Sequence, residues 1–218
     1  MNKIADKICV SIFANEYNKC IEIVKQYPLV ELRLDKGLLN KRHLRGLIAF
    51  GNKIIATCRR GFITDIQRYE ILLDAIKLKV EFVDLEHTIK PKFRNKLFKA
   101  ASENKIKIIG SYHNFKVTPN YKELKKISAS LIKQSQIAKI ACKVNTTDDL
   151  WNLINLYRDF EPGKLISIGL GKKGKLTRIA GLFIGAPFTY ASLKNHKETA
   201  KGQIDFITME EALKNFGF

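Results

Sequence analysis

Three short stretches hold residues whose types and spacing could do carbonyl and acid–base chemistry. In QIAKIACKV, Lys139 stands mid-strand between Ile137, Ala138, Ile140 and Ala141, where desolvation favours a neutral, nucleophilic amine. In an open sheet the same lysine could be an edge residue reaching water, but a closed barrel has no edges. In SYHN, His113 ends another strand-like run, and an imidazole titrates where a general acid/base must. In VELRLD, Glu31, Arg33 and Asp35 alternate with Val30, Leu32 and Leu34, so three ionisable groups share one face of a strand. Buried charges cost several kcal/mol (~) unless they are paired. Glu31 and Arg33 are therefore expected to neutralise each other in an empty pocket, with Asp35 further out at the strand's end. Arg59 follows Thr57 on the same face of a third run. Arg178 ends the segment GLGKKGKLTR, whose glycines Gly169, Gly171 and Gly174 spell a dinucleotide fingerprint in outline. Too little chain remains for a nucleotide-binding half, so the glycines read as a tight turn leading into a helix whose start favours an anion. The Arg178 guanidinium could hold a carboxylate there bidentately.

Positioning such groups requires a scaffold, and eight runs have the aliphatic content of strands: 8–13, 29–35, 53–59, 80–86, 107–113, 137–144, 165–171 and 188–193. Helix-like segments lie between them. Leu124, Ile127, Leu131 and Ile132 mark one apolar stripe, and Leu150, Leu153, Ile154 and Tyr157 another. All five prolines fall between the proposed elements. Alternation of strand and helix implies a parallel sheet, and eight units predict a (β/α)8 TIM barrel forming a single compact domain over residues 1–218. A doubly wound open sheet is the rival architecture. Nearly every strand ends in polar residues on its C-terminal side, which is where such a barrel keeps its active site.

Composition narrows the function. The chain has 218 residues, 45% of them hydrophobic, enough for one sizeable core. Its start lacks a continuous apolar stretch and no run is long enough to span a membrane, which predicts a cytoplasmic protein without membrane contact. A net charge of +18 could attract nucleic acid, but the lysines are spread over the whole length and no nucleic-acid-binding motif accompanies them. An anionic small substrate would profit from the same field. Cys9, Cys20, Cys58 and Cys142 show no metal-ligand spacing and read as reduced packing residues. The other histidines, His43, His87 and His196, lie in helix-like or loop segments.

Taken in order, ELRLD, ATCR, DLE, SYHNF, AKIA, GLGKKGKLTR and TAKGQ resemble the type I 3-dehydroquinate dehydratases of the shikimate pathway, members of the class I aldolase group of barrels. The resemblance runs nearly the whole chain. It implies that Lys139 forms a Schiff base with the ring ketone of 3-dehydroquinate, and that His113 removes a proton from the adjacent carbon and then protonates the departing hydroxyl. Arg178 would clamp the substrate carboxylate, Glu31, Arg33 and Arg59 would grip ring hydroxyls, and Thr199 and Gln203 would close over the substrate as a lid. No cofactor and no metal is implied, and the family likeness suggests a homodimer. This chain departs from the family pattern at several points. Ile63 stands near where many members have a carboxylate or amide that orients the histidine, leaving Asp65, Asp84 and Glu86 as candidates for that task. Asn114 follows the histidine where Asp is frequent, and Thr199 replaces the lid serine. Longer family members begin with a hairpin that plugs the barrel floor, whereas here the first expected strand starts at residue 8. Another aldolase-type barrel acting on a different ketone is the nearest alternative, and a basic nucleic-acid-binding protein the more distant one.

Overall fold

The computed structural model describes residues 4–36, 38–61, 63–193, 199 and 202–218. Among the described residues, eight strands join in one sheet in the order β7-β6-β5-β4-β3-β2-β1-β8, and eight α-helices alternate with them along the chain. The strands are β1 (Ile8–Phe13), β2 (Leu29–Arg33), β3 (Lys53–Thr57), β4 (Phe82–Glu86), β5 (Lys107–Asn114), β6 (Ile137–Lys143), β7 (Leu165–Leu170) and β8 (Thr189–Ala191). The helices are α1 (Tyr17–Gln26), α2 (Lys41–Ile48), α3 (Asp65–Lys77), α4 (Pro91–Glu103), α5 (Tyr121–Ile132), α6 (Thr147–Asn155), α7 (Leu176–Phe183) and α8 (Phe206–Asn215). This is the (β/α)8 barrel. Among the described residues no helix is long and apolar enough to cross a membrane. Backbone contacts group the chain into two compact units, residues 11–109 and residues 1–10 with 110–218.

In the unit of residues 11–109, helix starts are written in the sequence. Asn40 and His43 form a reciprocal cap on α2, Thr64 and Gln67 do the same for α3, and Pro91 opens α4 at its first position. These caps satisfy amide groups that the first helical turn leaves without partners. Strands β2, β3 and β4 pair in parallel, with Glu31 opposite Ile55, Arg33 opposite Thr57, and Thr57 opposite Asp84. Register partners point to the same side of a sheet, so Arg33, Thr57 and Asp84 form one row. The intervening Val30, Leu32, Ile54, Ala56, Val83 and Leu85 are fully or almost fully buried.

In the unit of residues 1–10 and 110–218, β6 pairs in parallel with β7, placing Lys139 opposite Ile166 and Ala141 opposite Ile168. Strand β8 pairs with β1, with Cys9 opposite Tyr190. A hydrophobic cluster forms where the strands meet α5 and α6. It contains Leu124, Ala138, Ile140, Cys142, Val144, Leu153, Leu156 and Leu165, with Ile127, Leu131, Ile132, Leu150 and Tyr157 packed on it. Each fully buried aliphatic side chain there contributes roughly 1.5–3 kcal/mol. The two helical stripes expected from spacing thus meet the even-numbered face of β6.

All four cysteines are free and buried. Burial pushes the Cys58 and Cys142 thiols up to about 12 and that of Cys20 to about 11. They are packing residues, as expected.

Candidate active site

With Ala138, Ile140 and Cys142 committed to the helix-facing cluster, the alternation of β6 turns Lys139, Ala141 and Lys143 the other way. Lys139 is only 5% exposed, and its face is shared with Ile166 and Ile168 of β7. Its Nζ stands over the ring of Tyr190, 3.8 Å from the ring centroid. Strand β5 repeats the logic. Tyr112 packs on the same cluster, so Ser111 and His113 point to the side that Lys139 faces. The His113 imidazole lies nearly parallel to the exposed Phe115 ring, at 19° and 6.0 Å between centroids. Asn114 faces away from His113: its Oδ1 accepts from the Lys116 and Val117 amides and its amide donates to the Tyr112 hydroxyl. Its task is to shape the loop after β5.

The glycine segment is a packing device. A methyl group on Gly174 would fall 2.3 Å from the Gly169 carbonyl carbon, and one on Gly169 would fall 2.6 Å from Gly174 Cα. Only two glycines let the strand end and the following turn approach so closely. Thr177 locks them, its hydroxyl accepting from the Gly169 amide and donating to the Gly174 carbonyl, both at 2.8 Å. The turn delivers Arg178 into the first turn of α7, where it is 2% exposed and its Nη1 donates to the Tyr190 carbonyl at 3.3 Å. Gln203 is buried as well, its Oε1 accepting from the Thr199 amide at 3.0 Å and the Thr199 hydroxyl at 3.2 Å. Residue 202 packs on Gly171, since a methyl there would fall 2.5 Å from the Gly171 carbonyl oxygen. His196 lies outside the described residues.

The other unit carries a network of carboxylates and guanidinium groups. Glu31, 4% exposed, accepts from the Ser11 hydroxyl and, at 2.9 Å, from that of Thr57. The carboxylate that grips Arg33 is Asp35, through a fork of 2.9 Å to Nε and 3.1 Å to Nη2. Asp35 also accepts from the Arg59 backbone amide at 3.3 Å. The expected pairing of Glu31 with Arg33 thus gives way to an Arg33–Asp35 pair, because the chain turns into a 3-10 helix at Leu34 and brings Asp35 back beside Arg33. Arg59 reaches Asp84 at 3.0 Å and Glu86 at 3.4 Å, and Arg68 of α3 completes the set at 3.0 Å from Glu86. Arg68 is buried and also donates to the Cys58 carbonyl at 2.7 Å.

Sequence reasoning overlooked Arg68, Ser11 and Tyr190. A signal for the first existed: Arg68, Leu72, Ala75 and Ile76 follow helical spacing, so the arginine sits on the core stripe of α3. Of the candidate carboxylates, Asp84 and Glu86 bind guanidinium groups. Asp65 is the first residue of α3 and pairs with Lys90 at 2.8 Å, a hydrogen bond that holds its carboxyl below the usual range. Among the described residues no group of three or more His, Cys, Asp or Glu is placed to hold a metal ion.

Eight strands in sequential order alternating with eight helices, with ionisable groups at the C-terminal strand ends, place the chain among the (β/α)8-barrel enzymes. It belongs to the type I 3-dehydroquinase family, whose model matches residues 8–217. The 3-dehydroquinate dehydratase of Methanococcus maripaludis strain C7 is 38% identical over 221 residues, covering 96% of this chain and 100% of that protein. That of Methanocaldococcus jannaschii is 32% identical over 217 residues, covering 94% and 96%. Among solved structures, the 3-dehydroquinate dehydratase of Aquifex aeolicus matches with a TM-score of 0.81 at 29% identity, over 97% of this chain and 98% of that one. The type I enzyme of Clostridium difficile, solved with covalently modified comenic acid, shares the fold at a TM-score of 0.84 and 20% identity, over 96% and 91% of the two chains.

Proposed function

We propose that Lys139 and His113 carry out the reaction that defines the family, the dehydration of 3-dehydroquinate to 3-dehydroshikimate. As a family member the chain is a hydro-lyase of the shikimate pathway acting on a small molecule. The Lys139 amine adds to the ring ketone and water leaves, giving an iminium. That electron sink acidifies the neighbouring C–H, and His113 takes the proton. The resulting enamine expels the hydroxyl on the next carbon, which departs as water with the proton His113 carries. Hydrolysis of the product iminium then frees the lysine.

The observation that carries this assignment is the shared face of Lys139 and His113 opposite the apolar cluster, with Lys139 buried among Ala141, Ile166 and Ile168. Arg178 is suited to hold the substrate carboxylate, because its anchor on the Tyr190 carbonyl fixes the plane of its guanidinium fork. Glu31, Arg33 and Arg59 serve the ring hydroxyls, and Thr199 with Gln203 forms the lid. The whole chain acts as one catalytic domain, in the cytoplasm, as a homodimer, without cofactor and without a nucleic-acid partner.

Incubation with 3-dehydroquinate and borohydride, followed by peptide mapping, tests the central step. A reduced adduct on Lys139 is expected; none under turnover conditions would refute it. His113→Ala should still form the adduct while turnover is lost, and normal turnover would remove His113 from the mechanism.

A further inference from the structure

Tyr190 touches both of the groups that the proposed mechanism assigns to the two ends of the substrate. Its ring lies under Lys139 Nζ at 3.8 Å, and its carbonyl accepts from Arg178 Nη1 at 3.3 Å. The side chain is 3% exposed, and the tilted Phe188 ring braces it at 5.6 Å between centroids. A residue so enclosed has little freedom to move, so the amine above its face and the guanidinium on its carbonyl are held at a set separation.

We infer that Tyr190 is a positioning residue that aims the Lys139 nitrogen at the substrate ketone and sets where that nitrogen stands relative to Arg178. This rests on Lys139 as the imine lysine. An aromatic face attracts a cation through its quadrupole, most strongly in a desolvated site. That interaction suits this chemistry because charge is conserved on condensation. Ammonium plus ketone gives iminium plus water: one C–N double bond forms, the carbonyl oxygen leaves with two protons from the nitrogen, and the starting ammonium and the final iminium carry the same single positive charge, with a neutral amine and carbinolamine between them. The ring therefore steadies the charged nitrogen both before condensation and after it, whereas a carboxylate there would also act as a base toward it. Losing the ring would let a long side chain swing, and misplacement of a reacting atom by about 1 Å can cost about 100-fold in rate.

The test follows borohydride trapping of 3-dehydroquinate on Lys139 by the full-length chain in a single turnover. In parallel it measures binding of quinate, which has an alcohol where the substrate has its ketone and so cannot form an imine. Tyr190→Phe keeps ring and carbonyl and should trap within about 3-fold of the parent rate. Tyr190→Leu removes the ring and keeps the carbonyl on Arg178. It should trap about 30-fold slower or worse, the equivalent of ~2 kcal/mol for a desolvated cation–π pair, with quinate binding unchanged. Tyr190→Met, closer in volume, serves if the leucine variant does not fold. Trapping near the parent rate in the ring-less variants would overturn the inference, as would an equal loss in Tyr190→Phe. Parallel loss of quinate binding would assign Tyr190 a general packing role and overturn it too. If the parent itself forms no adduct on Lys139, the imine assignment falls first, and that outcome is distinct from all the others.

Discussion

Replacing Arg68 by Met should destabilise the protein by ~3 kcal/mol, far more than a helix arginine ordinarily contributes. The guanidinium is 2% exposed and makes two directed bonds, Nε to the Cys58 carbonyl at 2.7 Å and Nη2 to Glu86 at 3.0 Å. Breaking a buried ion pair by removing one partner costs ~3–5 kcal/mol, because the remaining charge stays desolvated. Glu86 is partly compensated, keeping Arg59 at 3.4 Å and the Thr88 hydroxyl at 2.9 Å, which places its share below that range. The Cys58 carbonyl loses a charged donor, a further ~1.5–3 kcal/mol. Met retains most of the packing of the arginine stem against the core side of α3, and relief from burying the guanidinium returns part of the loss. The net is ~3 kcal/mol. Urea unfolding followed by circular dichroism, with equal m values for parent and variant, measures it. A double-mutant cycle with Glu86→Gln should give a coupling of ~1–3 kcal/mol, as residues of one network do. A loss under ~1 kcal/mol, typical of exposed pairs, or additivity within ~0.5 kcal/mol would refute the claim that this network is dry and shared.

Arg178→Lys replaces a planar fork with a point charge and should raise KM for 3-dehydroquinate about 10- to 100-fold, the loss of one charge-assisted bond; steady-state kinetics with unchanged KM would argue against the carboxylate clamp. With thiols pushed up to about 12 at Cys58 and Cys142 and about 11 at Cys20, the native protein at pH 8 holds about one thiolate per thousand or fewer at these sites. Ellman's reagent should therefore label them only after unfolding in guanidinium, and rapid native labelling would contradict their burial. Gly174→Ala forces a methyl to 2.3 Å from backbone and should cost ~1–3 kcal/mol or more, read as a fall in Tm. Gly61→Ala, which meets nothing within 4 Å, is the control and should leave Tm nearly unchanged.

Most of the fold is legible in the sequence because parallel strands need apolar residues on both faces and helices need one stripe, and the two periods differ. Every expected strand is present. Several stop short of the expected ends: the run at 29–35 stops at Arg33, that at 53–59 stops at Thr57, and that at 188–193 keeps only Thr189–Ala191, whereas that at 107–113 runs on to Asn114. The cause at the first two is side-chain chemistry at the strand ends. Asp35 grips Arg33 and the Arg59 amide, and the backbone leaves the ladder into a 3-10 turn to let it do so. Alternation in a sequence shows which residues share a face, but hydrogen bonds made by the side chains decide where the ladder ends.

The candidate site was legible wherever a charged residue interrupts an apolar run, as Lys139 does in IAKIA, because burying charge is costly enough to demand a reason. Tyr190 offers no such anomaly, since an aromatic in FTYASL is what any strand would hold. Its meaning comes from a side chain 51 positions away, reached only when the fold brings β6 and β8 into reach of one another. The same distinction explains why the carboxylates persist. Buried ion pairs can often be replaced by apolar residues with no loss, or with a gain, of stability. The Arg59, Asp84, Glu86 and Arg68 set, held at 3.0–3.4 Å, is therefore poorly explained as a means of keeping the strands together. Fixed, mutually oriented partners suit the role proposed for Arg59 toward the ring hydroxyls, since dipoles already in place need no reorganisation when a substrate arrives. Replacing the whole set together by apolar residues is expected to cost far less than removing Arg68 alone, and what it would remove is the proposed grip on the substrate.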